Sequence, residues 1–240
     1  SVTPRTVPDA PTGISATYGN GQASLSWTAP VVDGGSVLTD YVVQYSSNSG
    51  TSWLTFTDGV STVASTTVTG LTNGTAYIFR VRAQNAAGLS TPSSSSSSVT
   101  PRTTPGAPTS LTGTRADNSV TLSWLAPSNN GGASITDYAV EYSSNSGTSW
   151  TVFADGTSSL TSTTVTGLTN GTAYIFRVRA QNSEGYSPYS TQSASVTPRP
   201  PSAAPSPPVS VIPGETPAGS ANLSISAGGS SANGELVTSL

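Results

Sequence analysis

Residues Ser65–Asn85 read STTVTGLTNGTAYIFRVRAQN, and residues Ser162–Asn182 repeat all 21 letters. The heart of the phrase alternates. Tyr77, Phe79, Val81 and Ala83 fall on one side of an extended chain, and Ile78, Arg80, Arg82 and Gln84 on the other. Successive side chains of a strand point to opposite faces, so this period of two predicts a half-buried β-strand. Upstream, Val68 and Leu71 are apolar, and Asn73-Gly74 is a turn signal that separates them from the strand.

The same pattern continues outward. QASLSWTAP places Ala23, Leu25 and Trp27 on one face, and DYVVQY does so with Tyr41, Val43 and Tyr45. Gly19-Asn20-Gly21, Asp33-Gly34-Gly35, Asn48-Ser49-Gly50 and Asp58-Gly59 break the runs. No stretch of useful length has a helical period. About seven short strands fit, the number and spacing of a two-sheet sandwich with one face of each strand buried. The expected core of the first unit is Leu25, Trp27, Tyr41, Val43, Tyr45, Val68, Leu71, Tyr77, Phe79 and Val81.

The whole unit recurs at a shift of 97 residues without insertion or deletion. Trp124, Tyr138, Tyr142, Leu168 and Tyr174 thus stand where Trp27, Tyr41, Tyr45, Leu71 and Tyr77 stand. SVTPR at Ser98–Arg102 returns at Ser195–Arg199 and also occurs at Ser1–Arg5. Residues 1–6 therefore read as the remnant of a preceding repeat, 7–103 as module one and 104–200 as module two. The joint, TPRTTPGAP at Thr100–Pro108, holds three prolines, which favour extended and stiff chain.

Residues 201–240 differ in composition. From residue 200 onward the chain holds seven of the 18 prolines and no aromatic side chain. This Pro/Ser/Gly-rich extension lacks the apolar mass for a core of its own. It is expected to be an extended connector or a tail that pairs with a sheet edge of another subunit through Val209–Ile212, Leu223–Ile225 or Leu236-Val237.

Composition excludes several functions. The 240 residues contain no Cys, His, Lys or Met, eight Arg, and a net charge of −3. Nucleic acid needs a basic patch that this balance does not supply, and no apolar run is long enough for membrane insertion as a helix. Without His or Cys, neither Ser-His-Asp and Cys-His catalysis nor zinc coordination by N or S ligands is available. Asp58 and Asp155 lie in equivalent turns of separate modules and do not form a carboxylate pair. Asp33-Gly and Asp58-Gly read as turns rather than as calcium ligands. No catalytic residue, metal or cofactor is expected.

Taken together, APTG, SLSWTAP, DYVVQYSSNSG, GLTNGTAYIFRVRAQNAAG and SVTP resemble the fibronectin type III domain, and module two repeats the set. The resemblance covers about residues 7–200 and implies two tandem seven-stranded immunoglobulin-like β-sandwiches, an all-β chain. It implies that Trp27 and Trp124 are buried and that Tyr77 and Tyr174 bond back to the loop after Leu71 and Leu168. It also places Glu141 outward, within reach of Arg177 or Arg179. The family's adhesive Arg-Gly-Asp is missing from NAAGLSTP and NSEGYSPY. There, Tyr186 and Tyr189 read as packing on the loop or as a sugar platform.

Asn73, Asn170 and Asn222 begin glycosylation sequons. The Ser/Thr/Gly-rich wording looks like tandem modules of exported bacterial or bacteriophage structural proteins. The expected role is a non-enzymatic spacer and interaction segment, extracellular or on a virion. Its partners would be other protein subunits or neighbouring repeats, and surface glycans if any. Accessory modules of a carbohydrate-active enzyme are the alternative.

Overall fold

A computed structural model describes residues 4–201. The tail patches and Asn222 lie outside the described residues. Residues 4–201 contain 14 strands in four sheets and no helix.

In module one, β1 (Thr12–Gly19), β2 (Gln22–Thr28) and β5 (Ser65–Thr69) form a three-stranded antiparallel sheet. Against it packs a four-stranded sheet of β4 (Leu54–Thr55), β3 (Leu38–Ser46), β6 (Ile78–Asn85) and β7 (Gly88–Leu89). Module two repeats this with β8 (Thr109–Ala116), β9 (Ser119–Leu125) and β12 (Ser162–Thr166) in one sheet. The other holds β11 (Thr151–Phe153), β10 (Asp137–Ser143), β13 (Ile175–Asn182) and β14 (Gly185–Tyr186).

Each core is the set of inward residues that alternation picks out. In module one Ala23, Leu25, Trp27, Tyr41, Val43, Val68, Leu71, Tyr77, Phe79, Val81 and Ala83 are buried together. Trp124, Tyr138, Leu168 and Tyr174 are buried at the matching places, while Tyr45 and Tyr142 pack partly buried at the margin of each core. Trp27 meets Tyr41 edge-on at 5.2 Å between ring centroids, and Trp124 meets Tyr138 at 5.3 Å. The Tyr77 hydroxyl accepts a hydrogen bond from the Thr72 amide at 3.1 Å, and Tyr174 takes the Thr169 amide at 3.1 Å. This ties each turn before β6 and β13 to its own core.

The seventh strand is not a regular one. After β7, the chain advances three residues for every two of β6. Ser90, Ser93 and Ser96 donate their amides to the carbonyls of Ala83, Val81 and Phe79, each at 2.8 Å. A regular partner strand would also accept the amides of β6 with its own carbonyls, but here the extra residue carries those carbonyls away. The serine Oγ atoms accept instead, from Ala83, Val81 and Phe79 at 3.0, 3.1 and 3.1 Å. Each hydroxyl then donates to the carbonyl of its own next residue, as at Ser96 to Ser97, 2.8 Å. Serine suits the role because it is small enough to bury and its hydroxyl both accepts and donates. Ser187, Ser190 and Ser193 repeat the arrangement on β13.

The joint between modules is hydrogen-bonded on both sides. Pro101 accepts the Gly74 amide at 2.9 Å and the Arg102 amide donates to Gly19 at 3.2 Å, so these residues belong to module one. The next amide, Thr103, donates to Gly131 at 2.8 Å, and Gly106 donates to Asn129 at 2.8 Å. The buried Asn182 carboxamide holds the Thr103 and Asn130 carbonyls, both at 2.8 Å. The attachment changes modules between adjacent residues, Arg102 and Thr103.

Candidate functional surface

The most elaborate side-chain cluster lies on the outer face of the four-stranded sheet of module two. Glu141 on β10 stands directly opposite Arg177 on β13. Its Oε2 accepts from Arg177 Nε at 2.8 Å and also from Nη2, while its Oε1 accepts from the Tyr189 hydroxyl at 2.6 Å. Glu141 is 7% exposed. Glu141 takes the outward placement expected for it and pairs with Arg177, and aromatic rings and guanidinium groups then close over the carboxylate.

Those groups form an alternating stack. Arg177 lies 4.1 Å from the Trp150 ring and 3.9 Å from Tyr189, and Arg179 lies 4.8 Å from Tyr189 and 4.0 Å from Tyr186. A cation over an aromatic face is attracted by the ring quadrupole. Burial by itself would raise the Glu141 carboxyl. The hydrogen bonds from Tyr189 and Arg177 and the charges of Arg177 and Arg179 outweigh it and hold the group below the ordinary glutamate value of 4.5. Burial, followed by the bond to Glu141, pushes the Tyr189 hydroxyl up.

This arrangement is poorly suited to catalysis. Both carboxylate oxygens are occupied by donors, so Glu141 is not free to take a proton from a substrate. Tyr189 already lies against two guanidinium groups and Tyr186 against one. Asp58 and Asp155 sit exposed in their separate turns. Asp33 closes a local turn by accepting the Gly35 amide at 2.8 Å. Among the described residues no cluster of three His, Cys, Asp or Glu side chains has the form of a metal site.

The corresponding face of module one is simpler. Gln44 replaces Glu141 and accepts from Arg80 Nε at 2.8 Å, and Arg80 lies 4.2 Å from the Trp53 ring. Leu89 and Pro92 stand where Tyr186 and Tyr189 stand. Arg80 recurs in the repeat as part of this packing and does not simply face water.

The sequon asparagines Asn73 and Asn170 use their carboxamides structurally. Asn73 accepts the Gly21 amide at 2.8 Å and donates to Asn20 at 2.8 Å. Asn170 accepts from Asn118 at 3.0 Å and donates to Asp117 at 2.7 Å. A glycan on either nitrogen would compete with these bonds.

Fibronectin type III domains match residues 9–100 and 106–196. The chain belongs to the fibronectin type III family. Cardiac-type myosin-binding protein C of Rattus norvegicus is 32% identical over 181 residues, 75% of this chain and 14% of that protein. The fast-type protein of Gallus gallus is 30% identical over 193 residues, 80% of this chain and 17% of that one. The chain thus spans less than a fifth of the length of these two relatives. Among solved structures, the FN1–FN3 domains of chicken CNTN1 align over 80% of this chain and 67% of that one, at 21% identity and a TM-score of 0.48. Domains A168–A170 of titin align over 77% of this chain and 61% of that one, at 24% identity and a TM-score of 0.44. Tandem fibronectin type III modules of this kind are structural and interaction units, typically without catalysis.

Proposed function

We propose that this chain is a non-enzymatic spacer and protein-interaction segment of a larger exported, cell-surface or virion-borne protein. The observation that carries the spacer role is the joint. Arg102 is bonded to module one and Thr103 to module two, with no free residue between them. A connection pinned on both sides holds two modules at a set separation and angle, which is what a spacer must do.

Protein partners, whether other subunits or neighbouring repeats, fit the family better than surface glycans do, and Tyr189 already lies against two arginines. The names of the relatives describe proteins that bind a protein, myosin, and only that kind of role carries over. The exported setting, including a fibre, decoration or tail component of a phage particle, rests on the Ser/Thr/Gly-rich, cysteine-free composition alone. The relatives are animal muscle proteins and lend it no support. Small-angle scattering tests the spacer reading: a narrow distribution of inter-module angles is expected, and a broad one would contradict it.

A further inference from the structure

The two modules repeat one another at a shift of 97 residues, and among the positions where they differ are residues that meet across the joint. Tyr18 of module one donates its hydroxyl to Glu184 of module two at 3.5 Å. The residues equivalent to these by the 97-residue shift are Arg115 and Ala87, which cannot form that pair. Glu184 is also fixed by the Ser183 hydroxyl at 3.0 Å. The Arg102 guanidinium lies 6.0 Å from the Tyr18 ring.

Beside this pair, backbone meets backbone. Gly132 lies so close to the Asn73–Gly74 turn that a Cβ on it would sit 2.3 Å from the Gly74 nitrogen and 2.7 Å from the Asn73 carbonyl carbon. Both groups are main chain, so the collision cannot be relieved by a rotamer. The Asn73 carboxamide is drawn back onto Gly21 and Asn20, so the main chain of the turn and the Asn73 Cβ, at 3.0 Å from the added Cβ, face that position. The turn is itself anchored, through the Gly74 amide, to Pro101 of the joint.

We propose that Gly132 is a socket for the Asn73–Gly74 turn, that the Tyr18–Glu184 pair braces it, and that Gly132 determines the angle between the modules. The partner recognised is an Asn-Gly turn before the sixth strand of the preceding fibronectin type III module. The proposal rests on the spacer reading and names the contact that sets its geometry.

The repeat provides matched controls. Gly132 has φ +82°, and its counterpart Gly35 has φ +73° with only the Pro4 carbonyl oxygen nearby, at 3.5 Å. Gly74 has φ +84°, and its counterpart Gly171 has φ +82° with nothing within 4 Å. Alanine costs similar backbone strain at each member of a pair, but only Gly132 and Gly74 face the other module. The experiment measures residual dipolar couplings of the full chain carrying Gly132→Ala or Gly35→Ala, with calorimetry to confirm that both modules remain folded.

In the parent chain one alignment tensor should fit both modules. Gly35→Ala should keep it, and Gly132→Ala should require two distinct tensors. If Gly132→Ala prevents folding of module two, Gly74→Ala against Gly171→Ala, together with Glu184→Ala, gives the same comparison. Unchanged relative orientation in Gly132→Ala, or equal reorientation in Gly35→Ala, would overturn the socket. A parent chain that already needs two tensors would instead count against the spacer reading.

Discussion

Modules one and two share a core and differ on a face. Phe79 and Phe176, Val81 and Val178, and Trp27 and Trp124 are buried in the same places. On the outer face of the four-stranded sheet, one module has a neutral Gln44 and a single Arg80–Trp53 stack, and the other has a buried Glu141 under a five-membered aromatic and arginine stack. Duplication preserved what the sandwich needs to fold. Differences reach the core, as at Ala23 and Val120, but those on the outer face and at the joint change the interactions made. Interior packing tolerates few changes, whereas an outer face can exchange one satisfied set of partners for another.

The comparison can be broken most forcefully at the core. Trp27→Ala and Trp124→Ala should each cost about 3–5 kcal/mol. The two losses should match, each confined to its own module. Calorimetry resolving two transitions reads this directly, and a large inequality would show that the two cores are not equivalent.

The next effect belongs to module two. Glu141→Ala leaves Arg177 and the Tyr189 hydroxyl without their acceptor and should cost about 2–3 kcal/mol, below the ~3–5 kcal/mol of a fully buried pair because Arg177 is partly open to water. Gln44→Glu should not stabilise module one, since no tyrosine stands ready to cap the new carboxylate. A gain there comparable to the loss in module two would show that the stack adds little to the ion pair.

The same residue sets an acid response. The Glu141 carboxyl is depressed in the folded protein, so its contribution is present above the unfolded value of 4.5. It is lost as pH falls below that value, where the unfolded chain takes up a proton that the folded one refuses. Module two should therefore lose more stability than module one on titration from pH 5 downward, and Glu141→Gln should remove the excess. Equal loss in both modules would refute it.

Smaller and symmetrical effects are expected from the buried serines. Ser96→Ala strands the Phe79 amide and Ser193→Ala strands the Phe176 amide, each at about 1–2 kcal/mol. The losses in the two modules should be equal, and a neutral result at either position would contradict the Oγ role.

These devices were unequally legible in the sequence. Alternation of large apolar residues in Ala23–Trp27, Tyr41–Tyr45 and Tyr77–Ala83 marked the strands because burial on one face imposes a period of two. The serines escaped because their period is three and because serine ordinarily signals surface. The hint was present in the spacing of Ser90, Ser93 and Ser96, with Ser187, Ser190 and Ser193 at the same offset. Glu141 was legible as an outer-face residue beside Arg177, but its burial was not, because only the fold brings Tyr189 and the Arg177 fork over it. Asn85 and Asn182, whose carboxamides donate to the Thr6 and Thr103 carbonyls and clamp the chain entering each module, showed themselves only as polar letters kept inside an exact repeat.

Amide hydrogen exchange at Gly74, Arg102, Thr103 and Gly106 tests the pinned joint most directly. These four amides donate to Pro101, Gly19, Gly131 and Asn129. They should exchange slowly, and protection should persist in a chain whose tail beyond residue 201 has been removed. Fast exchange at Arg102 and Thr103 beside protected strands in both modules would mean that the joint is a free linker, and would contradict the account.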